Sequence, residues 1–240
     1  MKKYIGVIRV ACLVIPFFVF GQKQDDKKDI YALFDNVVGL DNTSIYNGNE
    51  YREEFRTLDN NYPYFDSPDF ITGTIEYNGE LYFNISIKYN LYNQEIIAKL
   101  KSKNASETVI KLYNSRIGSF VINNRKFVNI SPNNSGINGF FEEVFIDAQH
   151  KLLIKHKKFK KDLYKNEQMY VEYVTAKKEF LVLKNNTYNT LDSKKDITNV
   201  FPDSKQKINQ FYRDYRSLRK ADYSQFLIKL LQELKLARLK

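Results

Sequence analysis

From Leu81 to Leu91 apolar residues fall on every odd position, Leu81, Phe83, Ile85, Ile87, Tyr89 and Leu91, while Asn84, Ser86, Lys88 and Asn90 are polar. A period of two over that length is the pattern of a half-buried strand, and it cannot lie still as a helix. Ile71, Gly73, Ile75 and Tyr77 continue it on the N-terminal side of Asn78-Gly79. A two-residue Asn-Gly turn would pair Tyr77 with Glu80 and set an apolar face beside a polar one, because a one-residue slip inverts every side chain. Parity therefore predicts a bulged turn over Glu76 to Gly79, pairing Ile75 with Leu81 and Gly73 with Phe83. It places Phe83, Ile85, Ile87, Tyr89 and Leu91 in the core. After Leu91 the apolar positions become even, Ile96, Ala98 and Leu100, and a tight Asn93-Gln94 loop pairing Leu91 with Ile96 keeps them on the same face. The result is a three-stranded antiparallel meander with one wet face.

Further strand-like runs cover Val109–Tyr113, Ile117–Ile122, Lys126–Ile130, Phe140–Ile146, Lys151–His156, Met169–Val174, Phe180–Lys184 and Thr187–Leu191, with Asn-rich turns between several. The 18 Tyr and 18 Phe favour strands. The expected fold is mainly β (α+β), a large curved antiparallel sheet or open barrel. Residues 22–192 form the β domain, with a short N-terminal helix over Ile30–Val38 stopped at Gly39. Residues 193–240 form a C-terminal helical pair packed on the sheet. There, Asp203 with Gln206 and Asp222 with Gln225 have the spacing of N-terminal caps. Ile208, Phe211 and Tyr212 line one helix, and Phe226, Leu227, Leu230, Leu231 and Leu234 the other.

The first 21 residues read as a signal peptide: Lys2, Lys3 and Arg9, an apolar run from Val10 to Phe20, and cleavage after Gly21. The run is shorter than the roughly 20 residues a spanning helix needs, so no transmembrane segment is expected once it is removed. Arg9, three residues before Cys12, stands where a lipid-attachment signal wants an aliphatic. Cys12 is the only cysteine, so the mature chain has no disulfide and no thiol. Its formal charge falls from +10 to +7 with the loss of Lys2, Lys3 and Arg9.

The chemistry-bearing residues are sparse. His150 and His156, the two histidines, sit about 20 Å apart if both lie on one strand, too far to share a metal, and read as surface residues. Glu53-Glu54 and Glu142-Glu143 are adjacent, and neighbours on a strand point to opposite faces. No phosphate-cradling glycine motif occurs, and no catalytic residue, metal or cofactor is expected. A lysine block, Lys151, Lys155, Lys157, Lys158, Lys160 and Lys161 around Phe159, invites two readings. It can hold anionic headgroups or another anion, with nucleic acid the less favoured partner, or it can be an edge strand whose lysines oppose sheet-to-sheet aggregation. Tyr82 and Tyr92 occupy the polar face of the meander, where aromatics either bind a ligand or pack under a helix. The candidate binding residues are thus Tyr82, Tyr92, Lys155, Lys157, Lys158, Lys160 and Lys161.

The ordered segments "YNGNEY", "PYF", "FITGTIEYNGELYFNISIKYNLYNQEII", "FVINNRKFVNI", "GFFEEVFI" and "LDSKKDITNVFPDSKQKI" resemble a family of exported β-rich proteins typical of Bacteroidota-type bacteria. The chain departs from it at Tyr89-Asn90, where the family has Tyr-Asp. The resemblance implies export and a β-rich body with a helical end, and carries no activity with it. Together these readings lead to a non-enzymatic protein of the periplasm or outer membrane, or one released outside the cell, binding an envelope protein or a lipid-like amphiphile on its curved sheet. The alternatives are a hydrolase of envelope glycans using two carboxylates and a purely structural subunit.

Overall fold

The computed structural model describes residues 39–236, apart from 59, 103–105, 133–135, 149 and 166. The expected signal peptide and the helix over 30–38 lie outside the described residues. The strands are β1 (Gly48–Glu50), β2 (Ile71–Tyr77), β3 (Glu80–Asn90), β4 (Glu95–Lys101), β5 (Glu107–Leu112), β6 (Ile117–Ile122), β7 (Arg125–Ile130), β8 (Gly139–Phe145), β9 (His150–Lys155), β10 (Lys158–Lys165), β11 (Gln168–Thr175), β12 (Glu179–Lys184) and β13 (Thr187–Thr190). Four helices follow: α1 (Lys194–Val200), α2 (Lys205–Asp214), α3 (Arg216–Ala221) and α4 (Tyr223–Leu236).

Eleven strands form one antiparallel sheet in the order β1-β5-β4-β3-β2-β6-β7-β8-β9-β12-β13, while β10 and β11 form a separate hairpin. The large sheet does not close into a barrel, since β1 and β13 each have one strand neighbour. It is nevertheless strongly curved. Tyr89 on β3 and Phe140 on β8 stand four strands apart, about 19 Å in a flat sheet, yet their ring centroids are 5.7 Å apart. Phe120 and Phe127 stack between them at 4.8 Å. The concave side of this half is thus filled by its own rings, and Ile45 and Phe65 from the irregular segment before β2 complete the plug. The other half of the same face carries Leu152, Ile154, Phe180 and Val182 and is covered by the helices through Ile208, Phe211, Phe226, Leu227 and Leu230. A smaller cluster of Ile130, Phe141, Leu153 and Leu181 is buried apart from these two cores. No helix among the described residues is long and apolar enough to cross a membrane.

The meander corrects the parity argument. The β2–β3 hairpin is closed by Tyr77 opposite Glu80, with Asn78 at φ 54° and Gly79 at φ 80°, the left-handed pair of a two-residue type I′ turn. The expected bulge exists, but inside β3. Between the pairs Ile75–Tyr82 and Gly73–Ile85, β3 spends one residue more than β2, and Asn84 takes the left-handed conformation at φ 57°. The buried face therefore runs through Tyr82 before the bulge and through Ile85, Ile87 and Tyr89 after it. Phe83 is only half-buried and Leu81 is exposed. At the second corner the faces are as expected but the loop is longer. Tyr89 pairs with Ile96 and Ile87 with Ala98, and the buried Asn90 organises the turn by accepting from the N–H groups of Tyr92 at 2.9 Å and Asn93 at 3.1 Å.

At the C-terminal end, Asp222 caps α4 by accepting from the N–H groups of Ser224 and Gln225. Asp203 does not cap α2. It lies in a single 3-10 turn, Pro202–Ser204, and the reciprocal cap belongs instead to Ser193 and Asp196 at the start of α1.

Candidate binding surface

The β10–β11 hairpin stands outside the large sheet and is held from its base to about its midpoint. Lys158 N–H donates to the Leu91 carbonyl, and Val171 N–H to that of Arg56. Asn61 grips β11 with both ends of its amide: its Nδ2 donates to the Tyr173 carbonyl at 3.0 Å, and its Oδ1 accepts from Tyr173 N–H at 2.6 Å. The hairpin displays Phe159 near its base and Tyr164 and Met169 at its far end, at 51, 79 and 49% exposure, half of the exposed large apolar side chains among the described residues. Phe159 and Tyr164 belong to opposite faces of β10, so neither face is wholly polar.

Most of the lysine block is engaged by the protein itself. Lys155 is buried, donating to the Asn138 carbonyl over the Phe141 ring. Burial, with Lys157 nearby, lowers its pKa below the ordinary lysine value. Lys157 pairs with Glu179 at 2.6 Å. Lys158 donates to the Tyr62 carbonyl at 2.6 Å above the Tyr62 ring, and burial lowers its pKa too. Lys160 covers Phe55 and lies 3.3 Å from Asp162, and Lys161 leans on Glu172 at 3.9 Å. From Lys158 to Thr175 the lysines 158, 160, 161 and 165 stand against Asp162, Glu167 and Glu172, so the hairpin carries a formal charge of only +1. The block is thus no open basic patch.

Tyr82 and Tyr92 part company. Tyr82 lies on the concave side, in the core, with its hydroxyl donating to Glu80 and lying 2.9 Å from Ser44 Oγ. The bulge at Asn84 puts it there, not on the wet face. Tyr92 is half-buried with its ring 5.5 Å from that of Tyr173, so it braces the hairpin base.

The histidines are also buried, not on the surface, and each meets a carboxylate. His156 Nε2 is 2.7 Å from Glu142 Oε2, and Arg125 clasps the same carboxylate with two bonds of 2.7 and 2.6 Å. Burial alone would raise the Glu142 pKa, but His156 and Arg125 outweigh it and hold it at about 2. His150 Nδ1 lies 2.8 Å from Asp147 Oδ1, while its Nε2 is buried without a hydrogen-bond partner. His150 also lines a gap of about 10 Å³ with Leu231 and Leu234 of α4, about the room of one water. Glu142 and Glu143 do diverge, Glu143 turning to Lys126 and Lys151.

A second polar group joins Tyr51, Tyr64 and Glu53. The two hydroxyls are 2.8 Å apart, and Tyr64 donates to Glu53 at 2.5 Å. Burial, reinforced by Glu53, raises the Tyr64 pKa far above the phenol range. The adjoining recess, which Glu54 and Tyr173 also line, has a volume of about 20 Å³, the scale of a water and not of a sugar. Among the described residues no three His, Cys, Asp or Glu side chains gather as a metal site. Comparison with protein-family profiles, with curated proteins and with solved structures finds no match.

Proposed function

We propose that this is an exported, non-enzymatic protein of the cell envelope that binds a protein partner through the β10–β11 hairpin. The observation that carries the reading is the exposure of Phe159, Tyr164 and Met169 on a hairpin of formal charge +1 that stands outside the large sheet. Aromatic residues and methionine are enriched, and uncompensated charges depleted, where proteins meet. The concave side of the sheet, where an amphiphile would otherwise lie, is occupied by Ile45, Phe65 and the aromatic rings in one half and by the helices in the other. The carboxylate–histidine pairs are committed internally: Glu142 to Arg125 and His156, Asp147 to His150. Export rests on the charged start and the apolar run of Val10 to Phe20.

Native mass spectrometry of the protein taken from its own envelope fraction tests this. A stoichiometric protein mass should accompany the chain and be lost with Phe159→Ser/Tyr164→Ser. A bare monomer, or a retained lipid in place of a protein, sinks the proposal.

A further inference from the structure

We infer that the partner of the hairpin is a second copy of this chain, joined by antiparallel pairing of β10 with β10 about a two-fold axis through Lys161. The inference rests on the reading above that the hairpin is the working surface, and it names the occupant.

The two edges of the hairpin are treated differently by the fold. The outer edge of β11 is covered by the segment at Arg56 to Asn61. On β10, Lys157 bonds across to Ala176 while Lys158 bonds outward to Leu91. Since alternate residues of a strand face alternate neighbours, the main-chain groups of Lys160, Asp162 and Tyr164 also point outward. Among the described residues none takes them up. They form a short row of free donors and acceptors, which is a template for another strand.

Lysines on an edge usually guard against such pairing, but here the guard is cancelled. Lys160 already has Asp162, and Lys161 has Glu172. A two-fold axis normal to the sheet keeps each residue opposite one on its own face, so three central registers use the free row. With Leu163 at the axis, Asp162 faces Tyr164 twice and Lys161 faces Lys165 twice, which opposes like charges. With Asp162 at the axis, Asp162 faces its own copy and Lys160 faces Tyr164, with no opposite charges matched. With Lys161 at the axis, Lys160 faces Asp162 twice and Phe159 faces Leu163 twice, and the one like pair, Lys161 with its copy, is flanked by two Glu172 carboxylates. This register is self-complementary, the property an isologous dimer requires. The Lys160–Asp162 pairs are also the ones whose outward main-chain groups meet, giving four backbone hydrogen bonds. Lys158 N–H, taken by Leu91, marks where pairing must stop. The partner is an identical strand, and the product is a four-stranded sheet that gathers the exposed apolar side chains of two hairpins.

Sedimentation equilibrium of the purified exported protein at physiological salt, from micromolar to near-millimolar, should show a reversible dimer. Asp162→Lys and Lys160→Asp, each of which creates two like-charge pairs, should weaken it by about tenfold or more, and the swap Lys160→Asp/Asp162→Lys should restore it. Asp162→Pro, which removes an outward donor without touching the β11 ladder, should also give monomer. Hydrogen exchange at Tyr170, Glu172 and Val174, whose N–H groups face β10, checks in each variant that the hairpin remains folded. A monomer at every concentration, a dimer indifferent to Asp162→Lys and Asp162→Pro, or a swap that fails to restore association overturns the self-pairing. A monomer that still carries a different protein in the envelope, lost with Phe159→Ser/Tyr164→Ser, overturns the self-pairing alone, whereas loss of both associations removes the hairpin reading as well.

Discussion

Glu142 on β8 and His156, just past the end of β9, meet at 2.7 Å between Oε2 and Nε2, and Arg125 completes the carboxylate's coordination from β7. The folded pKa of Glu142 is about 2 against an ordinary 4.5. A depressed carboxylate stabilises the fold fully above its unfolded value and loses that contribution as pH falls through the folded one. The window is therefore about pH 4.5 down to 2, and the pKa difference corresponds to about 3 kcal/mol. Glu142→Gln leaves Arg125 with only the more distant Asp66 at 3.9 Å and removes the carboxylate from His156, and should cost about 2 to 3 kcal/mol at neutral pH. Urea unfolding at pH 7 and pH 2 checks this, and a penalty that persists undiminished at pH 2 would count against it.

The left-handed Asn84 sets the facing of everything after it in β3. Asn84→Gly should be neutral or stabilising by up to about 1 kcal/mol, since glycine holds this conformation without strain. Asn84→Val should cost about 2 kcal/mol or more, because a branched side chain resists it. Deletion of Asn84 should abolish folding by turning Ile85, Ile87 and Tyr89 outward. Circular dichroism melts rank the three, and a folded deletion variant would refute the register.

Gly73 sits where two strands crowd the backbone. A Cβ there would lie 2.3 Å from the Val121 carbonyl oxygen and 2.9 Å from the Ile87 side chain. Gly73→Ala should therefore lower stability by about 1 to 3 kcal/mol. Gly79→Ala, with open space but φ 80°, should cost about 1 to 2 kcal/mol through backbone strain alone. Guanidinium unfolding of both variants decides, and only the Gly73 penalty should shrink when Val is substituted for Ile87.

Asn61 is the latch of the hairpin. Asn61→Ala should raise hydrogen exchange at Tyr173 and its neighbours on β11 by about 30-fold while leaving β3 and β9 protected, since two amide bonds worth about 1 kcal/mol each are lost. Uniform acceleration over the whole sheet would show that the hairpin and the body open together.

The strands were legible because their pattern was local. Ile117–Ile122 is β6 to the residue, and the helical core positions Ile208, Phe211, Phe226 and Leu230 follow directly from their spacing. The bulge was not legible, because an asparagine in the polar slot of an alternating strand looks the same whether it faces water or takes the left-handed conformation. Parity demanded one extra residue, and nothing in the letters separated Gly79 from Asn84 as its place.

The candidate site was less legible, for a related reason. The Asp147–His150 spacing of three could have announced one buried pair. Glu142 and His156 are brought together only by the β8–β9 pairing, and Arg125 only by β7. The lysines from 155 to 161 were visible as a block, but the pairing of Lys157 with Glu179 and of Lys161 with Glu172 depends on which strands lie side by side.

The meeting of Tyr89 with Phe140 bears on how fast this protein can fold. These rings touch only after β2, β6, β7 and β8 have all been laid down in order, so the core that stabilises the first strands arrives late. Contacts so distant along the chain make a high entropic barrier and a rate in the slow range for small domains. A polypeptide of this design spends its first moments open, and it becomes compact only when its eighth strand is in hand.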